Sequence, residues 1–268
     1  MPLPDLSVVT LTWNSQRFVE PWLRTLDAEA HGCGIGMEVI ALDNGSTDQT
    51  IGLLRSMPAE HVDFKLIELG HNTGTTFPRN IGIRMSRAPL VLILDSDTEI
   101  PPGSLRSLMR SVDELPGPVG IVAPRLVYPD GKFQESARRF PTVFTKAYRL
   151  LGMEERRVAD ETIPGVLAGE KTKVDYAISA AWLVPRTTFE RVGYLDESIF
   201  YSPEDVEFCA RVWRGKLPVW YYPKAEIVHN CQRITHKRPF TRLGLSHAKQ
   251  LVRYWAKYGT AFKRPKTD

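Results

Sequence analysis

Short, dense apolar runs bounded by Gly, Pro, Asn and Asp alternate with amphipathic stretches through the first half of the chain. Leu6–Thr12 (LSVVTLT), Met37–Asp43 (MEVIALD), Val62–Leu69 (VDFKLIEL) and Leu90–Leu94 (LVLIL) have the length and β-branched content of buried strands. "VGIVAP", ending at Pro124, predicts a fifth. Between them the pattern predicts helices over Arg17–Ala30 with Pro21 near the start, from N-caps at Ser46–Asp48 to about Met57, over Phe77–Ser86 and over Ser104–Leu115. Strand and helix in alternation imply an α/β fold with a mostly parallel sheet covered on both faces.

The second half follows a different rhythm. Tyr128–Gly169 reads as loop-rich and charged, with a weak helix near Val143–Leu151. Tyr176–Pro185 (YAISAAWLVP) predicts a buried strand, Ser202–Arg214 a helix, "PVWYYP" and "AEIVHN" two short strands, and Thr241–Tyr258 a last helix. There is no repeat and no low-complexity linker, so the expectation is one α/β domain with a C-terminal appendage.

Composition adds exclusions. With 43% apolar residues over 268 positions, the chain can bury a large core without disulfide or metal staples. Its three cysteines (Cys33, Cys209, Cys231) lack zinc or redox spacing, and a cytoplasmic setting is expected. The N-terminus does not read as a signal peptide, and no apolar run reaches the ~18 residues of a membrane span. "GCGIG" at Gly32–Gly36 precedes a strand instead of opening a helix, so it is not a dinucleotide fingerprint. The net charge of +4 conceals an asymmetry: Arg233–Asp268 holds ten Lys/Arg and one acid (+9), which leaves −5 for the rest. A basic tail on an acidic body suggests an anionic surface as partner. Nucleic acid is not expected, because the tail's aromatics are not interleaved as a stacking platform.

In open parallel sheets, ligands sit outside the carboxyl ends of the strands. There the sequence places Thr12-Trp13-Asn14, Asp43-Asn44 and Asp95-Ser96-Asp97. Each alone is an ordinary set of turn formers, but three such clusters on one edge converge. The pair Asp95/Asp97 suits a hard divalent cation, and magnesium leaves its remaining positions to water and substrate phosphates.

"SVVTLTWNS", "VIALDNGSTDQT", "NTGTTFPRNIGI", "VLILDSDTEI" and "FYSPEDVEFCARVWRGK" occur in the order found in family-2 glycosyltransferases. From Ser7 to about His229 the chain resembles the nucleotide-sugar domain of the GT-A fold, a Rossmann-like sheet flanked by helices. The resemblance implies a GT-A domain over residues 1–232, with a nucleotide-binding half to about 125, an acceptor half from 126 and a basic helical extension over 233–268. It implies that Asp43 contacts the nucleobase or ribose and that Thr12, Asn14 and Ser96 line the same site. Asp95 and Asp97 would hold the diphosphate through Mg²⁺ or Mn²⁺, and His229 would touch metal or phosphate unless it is structural. Arg79 matches a basic residue near the nucleotide, the alternative being a helix-surface arginine. In "SPED", Asp205 would be the general base of inverting transfer and Glu204 would position the acceptor or the base. Without function, Ser202 would cap the helix, Pro203 would open it, and the acids would favour its positive end.

The later segments resemble bacterial rhamnosyltransferases of polysaccharide assembly, which implies a dTDP-L-rhamnose donor and a glycan or lipid-linked acceptor. Two alternatives stand beside transfer: a catalytically silent sugar-nucleotide or membrane-binding module, and a sugar-phosphate nucleotidyltransferase. The latter would carry a Gly-rich basic loop after the first strand, which "TLTWNSQRF" lacks. In the tail, Leu243, Ser246, Leu251, Tyr254 and Trp255 share a helix face that either packs on the core or seats the enzyme on anionic lipid.

Overall fold

Four parallel strands, each followed by a chain reversal, build the first half of the sheet in a computed structural model that describes residues 3–231 and 242–267. They are β1 (Leu6–Thr12), β2 (Met37–Asp43), β3 (Val62–Glu68) and β4 (Leu90–Leu94), interleaved with α1 (Val19–Cys33), α2 (Thr50–Ser56) and α3 (Thr76–Met85). Next come β5 (Thr98–Glu99), α4 (Ser104–Glu114), β6 (Ile121–Val127), β7 (Phe133–Gln134), β8 (Ala137–Arg138), α5 (Val143–Leu150), α6 (Glu154–Glu161) and α7 (Pro164–Leu167). The chain then forms β9 (Thr172–Lys173), β10 (Tyr176–Ala177), β11 (Ala181–Pro185), α8 (Arg186–Val192), α9 (Glu204–Arg214), β12 (Val219–His229) and α10 (Arg242–Tyr258).

The main sheet runs β3-β2-β1-β4-β11-β6-β12-β5, with β11 antiparallel to both its neighbours. Because β1 pairs with β2 on one side and β4 on the other, the strand order reverses there and opens a crevice at their carboxyl ends. Alternate side chains feed two cores. Val9, Ile40 and Ile93 pack under α3, α8, α9 and α10, while Val8, Val39 and Leu92 pack under α1, α2 and α4. Gly82 lets α3 lie close: a Cβ there would come within 2.5 Å of Val9 and 2.9 Å of Leu42.

Several expectations change. α2 starts at Thr50, and the Asp48 carboxylate accepts from the Thr50 amide and hydroxyl without itself being the cap residue. "YAISAAWLVP" is not one strand: β10 pairs with β8 in a separate ribbon, and the chain turns through Ile178–Ala180 before β11. "PVWYYP" and "AEIVHN" fuse into β12, whose pairing with β6 shifts register between Tyr222 and Glu226. Pro223, which has no N–H to give a ladder, falls in that irregularity. The loop-rich stretch over 128–169 holds the expected helix as α5 and two further ones, α6 and α7. α6 escapes a periodicity reading because "EERRVADE" has almost no apolar stripe; Arg157 ties it instead, bonding Glu154 and Glu161.

The C-terminal helix packs. Leu251, Tyr254 and Tyr258 are buried in the same core as α9, and Tyr258 Oη donates to the buried Glu207 at 2.7 Å. Of the two readings of its apolar face, packing on the core is the one its described side chains follow; Leu243 and Ser246 lie outside them. Beyond α10 the chain folds back, with the Val143 amide donating to Ala261 O at 2.8 Å and Arg264 bonding Phe140 O and Asp160. Among the described residues no helix is long and apolar enough to cross a membrane.

Candidate active site

β1, β2, β4 and β12 all end at the crevice, and α9 begins beside it. At the end of β2, Asp43 is fully buried, and both its oxygens are occupied. Oδ1 accepts from Thr12 Oγ1 (3.0 Å) and Ser46 Oγ (2.5 Å), and Oδ2 from the amides of Gly45 (3.1 Å) and Ser46 (2.8 Å). Asp43 and Thr12 thus shape the 44–47 loop from below. Asn14, at φ +50°, holds its far side by accepting from the Thr47 amide at 2.8 Å. The asparagine tolerates that left-handed backbone better than most residues. Ser96 shares a 3.0 Å hydroxyl contact with Ser15, which ties the turn after β4 to the turn after β1.

The Asp95-Ser96-Asp97 turn is clamped at both ends. The Asp95 amide donates to Ala180 O at 2.9 Å, and the Asn230 amide donates to Asp97 O at 2.8 Å. Pairing of β5 with β12 then brings His229 Nε2 to 3.4 Å from Asp97 Oδ1. One ligand atom each from Asp95, Asp97 and His229 fall within 4.8 Å of one another. Two carboxylates and an imidazole form a donor set that Mn²⁺ or Mg²⁺ accepts. His229 Nδ1 meets the buried Gln134 Oε1 at 3.0 Å. With that nitrogen protonated, Nε2 turns its lone pair toward the carboxylates, the usual outer support of a metal-binding histidine. The residues fit a divalent cation. Burial works against the imidazolium, but the Asp97 and Asp95 carboxylates outweigh it and His229 titrates above its ordinary value.

Arg79 is not a helix-surface residue. It is 4% exposed, and its guanidinium lies between two acids, at 2.7 Å from Asp95 Oδ1 and 3.3 Å from Glu204 Oε1. Ser179 Oγ accepts from it at 2.8 Å and donates to Glu204 at 3.1 Å. Ser179 stands in the turn that interrupts "YAISAAWLVP", and nothing in the sequence distinguished it; the same holds for Gln134. Burial pushes Asp95 upward, with Asp97 adding to it and Arg79 opposing. Glu204 is likewise raised by burial and by the neighbouring Asp205 charge, against the pull of Arg79.

At α9 the expected Ser202 cap is absent, although Glu204, Asp205 and Glu207 do stand in the helix's first turn. The helix begins at Glu204 with Pro203 in the cap position, and no side chain, Ser202 included, caps it. Glu204 turns inward to Arg79, while Asp205 is half-buried and its Oδ1 accepts from the Val206 amide at 2.8 Å. Burial raises the Asp205 carboxyl above its ordinary range, opposed by the Val206 amide and by the charges of Lys146 and Arg79. A carboxylate made more basic in this way is suited to taking a proton.

The sequence profile described as "Glycosyl transferase family 2" matches residues 7–172. A low-salt glycan biosynthesis hexosyltransferase, Agl10 of Haloferax volcanii, is 28% identical over 85% of this chain and 68% of its own. An N-acetylglucosaminyl-diphospho-decaprenol L-rhamnosyltransferase of Mycobacterium tuberculosis is 26% identical over 92% of this chain and 83% of its own. Among solved structures, the mannosyltransferase PcManGT of Pyrobaculum calidifontis in complex with GDP-Man and Mn²⁺ superposes with a TM-score of 0.63 at 19% identity, over 99% of this chain and 67% of that one. The chain spans 60% of another, S. aureus TarS 1–349, with a TM-score of 0.55 at 20% identity. The crevice, the sheet order and a profile that covers more than half of the chain agree: the protein belongs to glycosyl transferase family 2 and has the GT-A fold.

Proposed function

We propose that the protein is an inverting glycosyltransferase of cell-surface polysaccharide synthesis that moves L-rhamnose from dTDP-L-rhamnose to a glycan or lipid-linked acceptor. The observation that carries the reading is the shared guanidinium of Arg79, which sets the Asp95–Asp97–His229 group and the Glu204–Asp205 pair against one crevice. The 44–47 loop and the turn after β1 would line the nucleotide side, within residues 1–125. Residues 126–232 would contribute the acceptor side. Asp95, Asp97 and His229 would hold Mg²⁺ or Mn²⁺, and a bound divalent cation neutralises charge on a departing diphosphate.

In this reading Asp205 accepts the acceptor hydroxyl's proton at Oδ2, since Oδ1 is occupied by the Val206 amide. The acceptor oxygen attacks the anomeric carbon from the face opposite the diphosphate, so configuration inverts and no covalent intermediate forms. Glu204, paired to Arg79, keeps the base in place. The choice of rhamnose rests on the mycobacterial relative and on the resemblance of the later segments. A catalytic role is favoured over a silent binding module because Asp205 remains half-exposed while its neighbour is fully paired. Such an enzyme would work in the cytoplasm, at the inner face of the membrane.

The test is release of nucleoside diphosphate from dTDP-L-rhamnose and from UDP- and GDP-sugars, with Mn²⁺, Mg²⁺ or a chelator, followed by the product's anomeric configuration. Turnover of dTDP-L-rhamnose that stops on chelation and inverts the anomeric centre supports the proposal. Preference for another donor removes the rhamnose assignment; retention of configuration removes the Asp205 mechanism.

A further inference from the structure

With the apolar face of α10 packed inward, the exposed apolar surface of the protein's acceptor side lies elsewhere. α5 ends in Leu150 (87% exposed) and Leu151 (72%), followed by Gly152 at φ +69°, which turns the chain into α6. One and two turns before Leu151, on its helix face, stand Tyr148 and the half-exposed Phe144. Phe262, 73% exposed, meets Phe144 edge-on with ring centroids 5.9 Å apart. Between these rings and Lys263 lies an open cleft of about 380 Å³. We propose that the α5 tip and the Phe262 segment together form the surface that seats this protein on an anionic lipid bilayer.

Large apolar side chains exposed at the end of α5 and on the Phe262 segment that packs against it are costly in water, and apolar surface of this kind marks a contact site. Its position is fixed by the fold. The Val143–Ala261 backbone bond and the Arg264–Asp160 pair lock the Phe262 segment against α5 and α6. The charges around it favour a negative surface. Arg149, Lys263 and Lys266 are exposed at or near the patch. Of the nearby acids, Glu154 is taken up by Arg157, and Glu155 stands beside Arg156. Exposed apolar residues with basic neighbours are the pattern of interfacial binding. The patch also has a place in the reaction: α5 carries Lys146 as well, whose charge acts on Asp205. One short helix thus carries exposed apolar side chains at its end and a cation whose charge reaches the proposed base, so docking would set the acceptor side at the bilayer.

The inference does not depend on sugar transfer, because vesicle binding is read without donor or acceptor. The full-length protein would be sedimented with sucrose-loaded vesicles of phosphatidylcholine alone and of phosphatidylcholine and phosphatidylglycerol in equal parts, at low and high salt. Binding to the anionic vesicles that weakens with salt is expected. Leu150→Ser, Leu151→Ser and Phe262→Ser together should lower partitioning at least about tenfold, since one well-buried apolar side chain is worth that much. All three side chains are largely exposed, so thermal melting should be unchanged. Met85→Ser, at an exposed apolar residue on α3, serves as the control and should bind like the parent. Three results would overturn the proposal: no binding by the parent protein, equal binding by the triple variant, or a parent dimer in light scattering that the triple variant dissolves while neither binds vesicles. The last would assign the patch to a second copy of the chain.

Discussion

One guanidinium holds two acids that would otherwise be left facing each other inside the protein. Arg79→Leu removes the only cation within hydrogen-bond distance of Glu204 among the described residues and leaves Asp95 beside Asp97. Breaking a buried pair from one side costs about 3–5 kcal/mol, a loss that denaturant titration would read. Asp205→Asn should behave oppositely. Its Oδ1 can still accept from the Val206 amide, so stability should change by no more than about 1 kcal/mol, while turnover at saturating donor falls about 10²–10⁴-fold. A folded Asp205→Asn protein with parental turnover would remove this residue from the mechanism. Gln134 would bear on a metal at the Asp95–Asp97–His229 group through its contact with His229 Nδ1. Gln134→Ala should weaken Mn²⁺-dependent nucleotide binding by about 10–100-fold, measured by calorimetry, with the carboxylates untouched.

Pairs of elements meet around single buried side chains, and Glu38 of β2 is the clearest case. It accepts from Ser7 Oγ of β1 (2.6 Å), the amide and Nε of Arg87 before β4 (2.6 and 2.9 Å) and Lys65 Nζ of β3 (3.2 Å). Four strands are thereby pinned at the end of the sheet opposite the crevice. Burial alone would raise this carboxyl, but the bonds from Ser7 and Arg87 prevail and bring it down to about 2. A carboxyl lowered on folding contributes stability above its unfolded value of 4.5, and the contribution is lost as pH falls from there toward 2. The parent should therefore lose about 2–3 kcal/mol more than Glu38→Gln across that interval, as followed by urea unfolding at several pH values. The strands and helices of the first half were legible because each one's apolar period stands between strong breakers. What stayed hidden depended on distant partners. Ser179 interrupts a strand-like run to reach Arg79, and α6 is anchored by charge pairs to Arg138 and Arg264 instead of by an apolar face. The acids at the strand ends were visible as a set. Which of them face inward was not: Asp43 and Glu204 look like Asp97 and Asp205 in one dimension, and only the fold surrounds the former with donors.

Across the whole molecule, the C-terminal helix closes the core that carries α9. Tyr258 Oη and Lys257 Nζ both donate to Glu207, which is 2% exposed, from a stretch of chain that doubles back over α9. A chain truncated after Gln232 should lose its cooperative unfolding transition in calorimetry, because Leu251, Tyr254 and Tyr258 leave the core with it. Tyr258→Phe is the mild version: Glu207 keeps Arg211 and Lys257, so a loss of about 1–2 kcal/mol is expected. The same closure has a bearing on synthesis. Glu207 leaves the ribosome 51 residues ahead of Tyr258, a delay of roughly 3–10 s at ordinary elongation rates. Through that interval the helix beginning at Glu204 and Asp205 waits without its last partners, so the nascent chain completes its first four parallel strands early and acquires a firmly held α9 only afterwards.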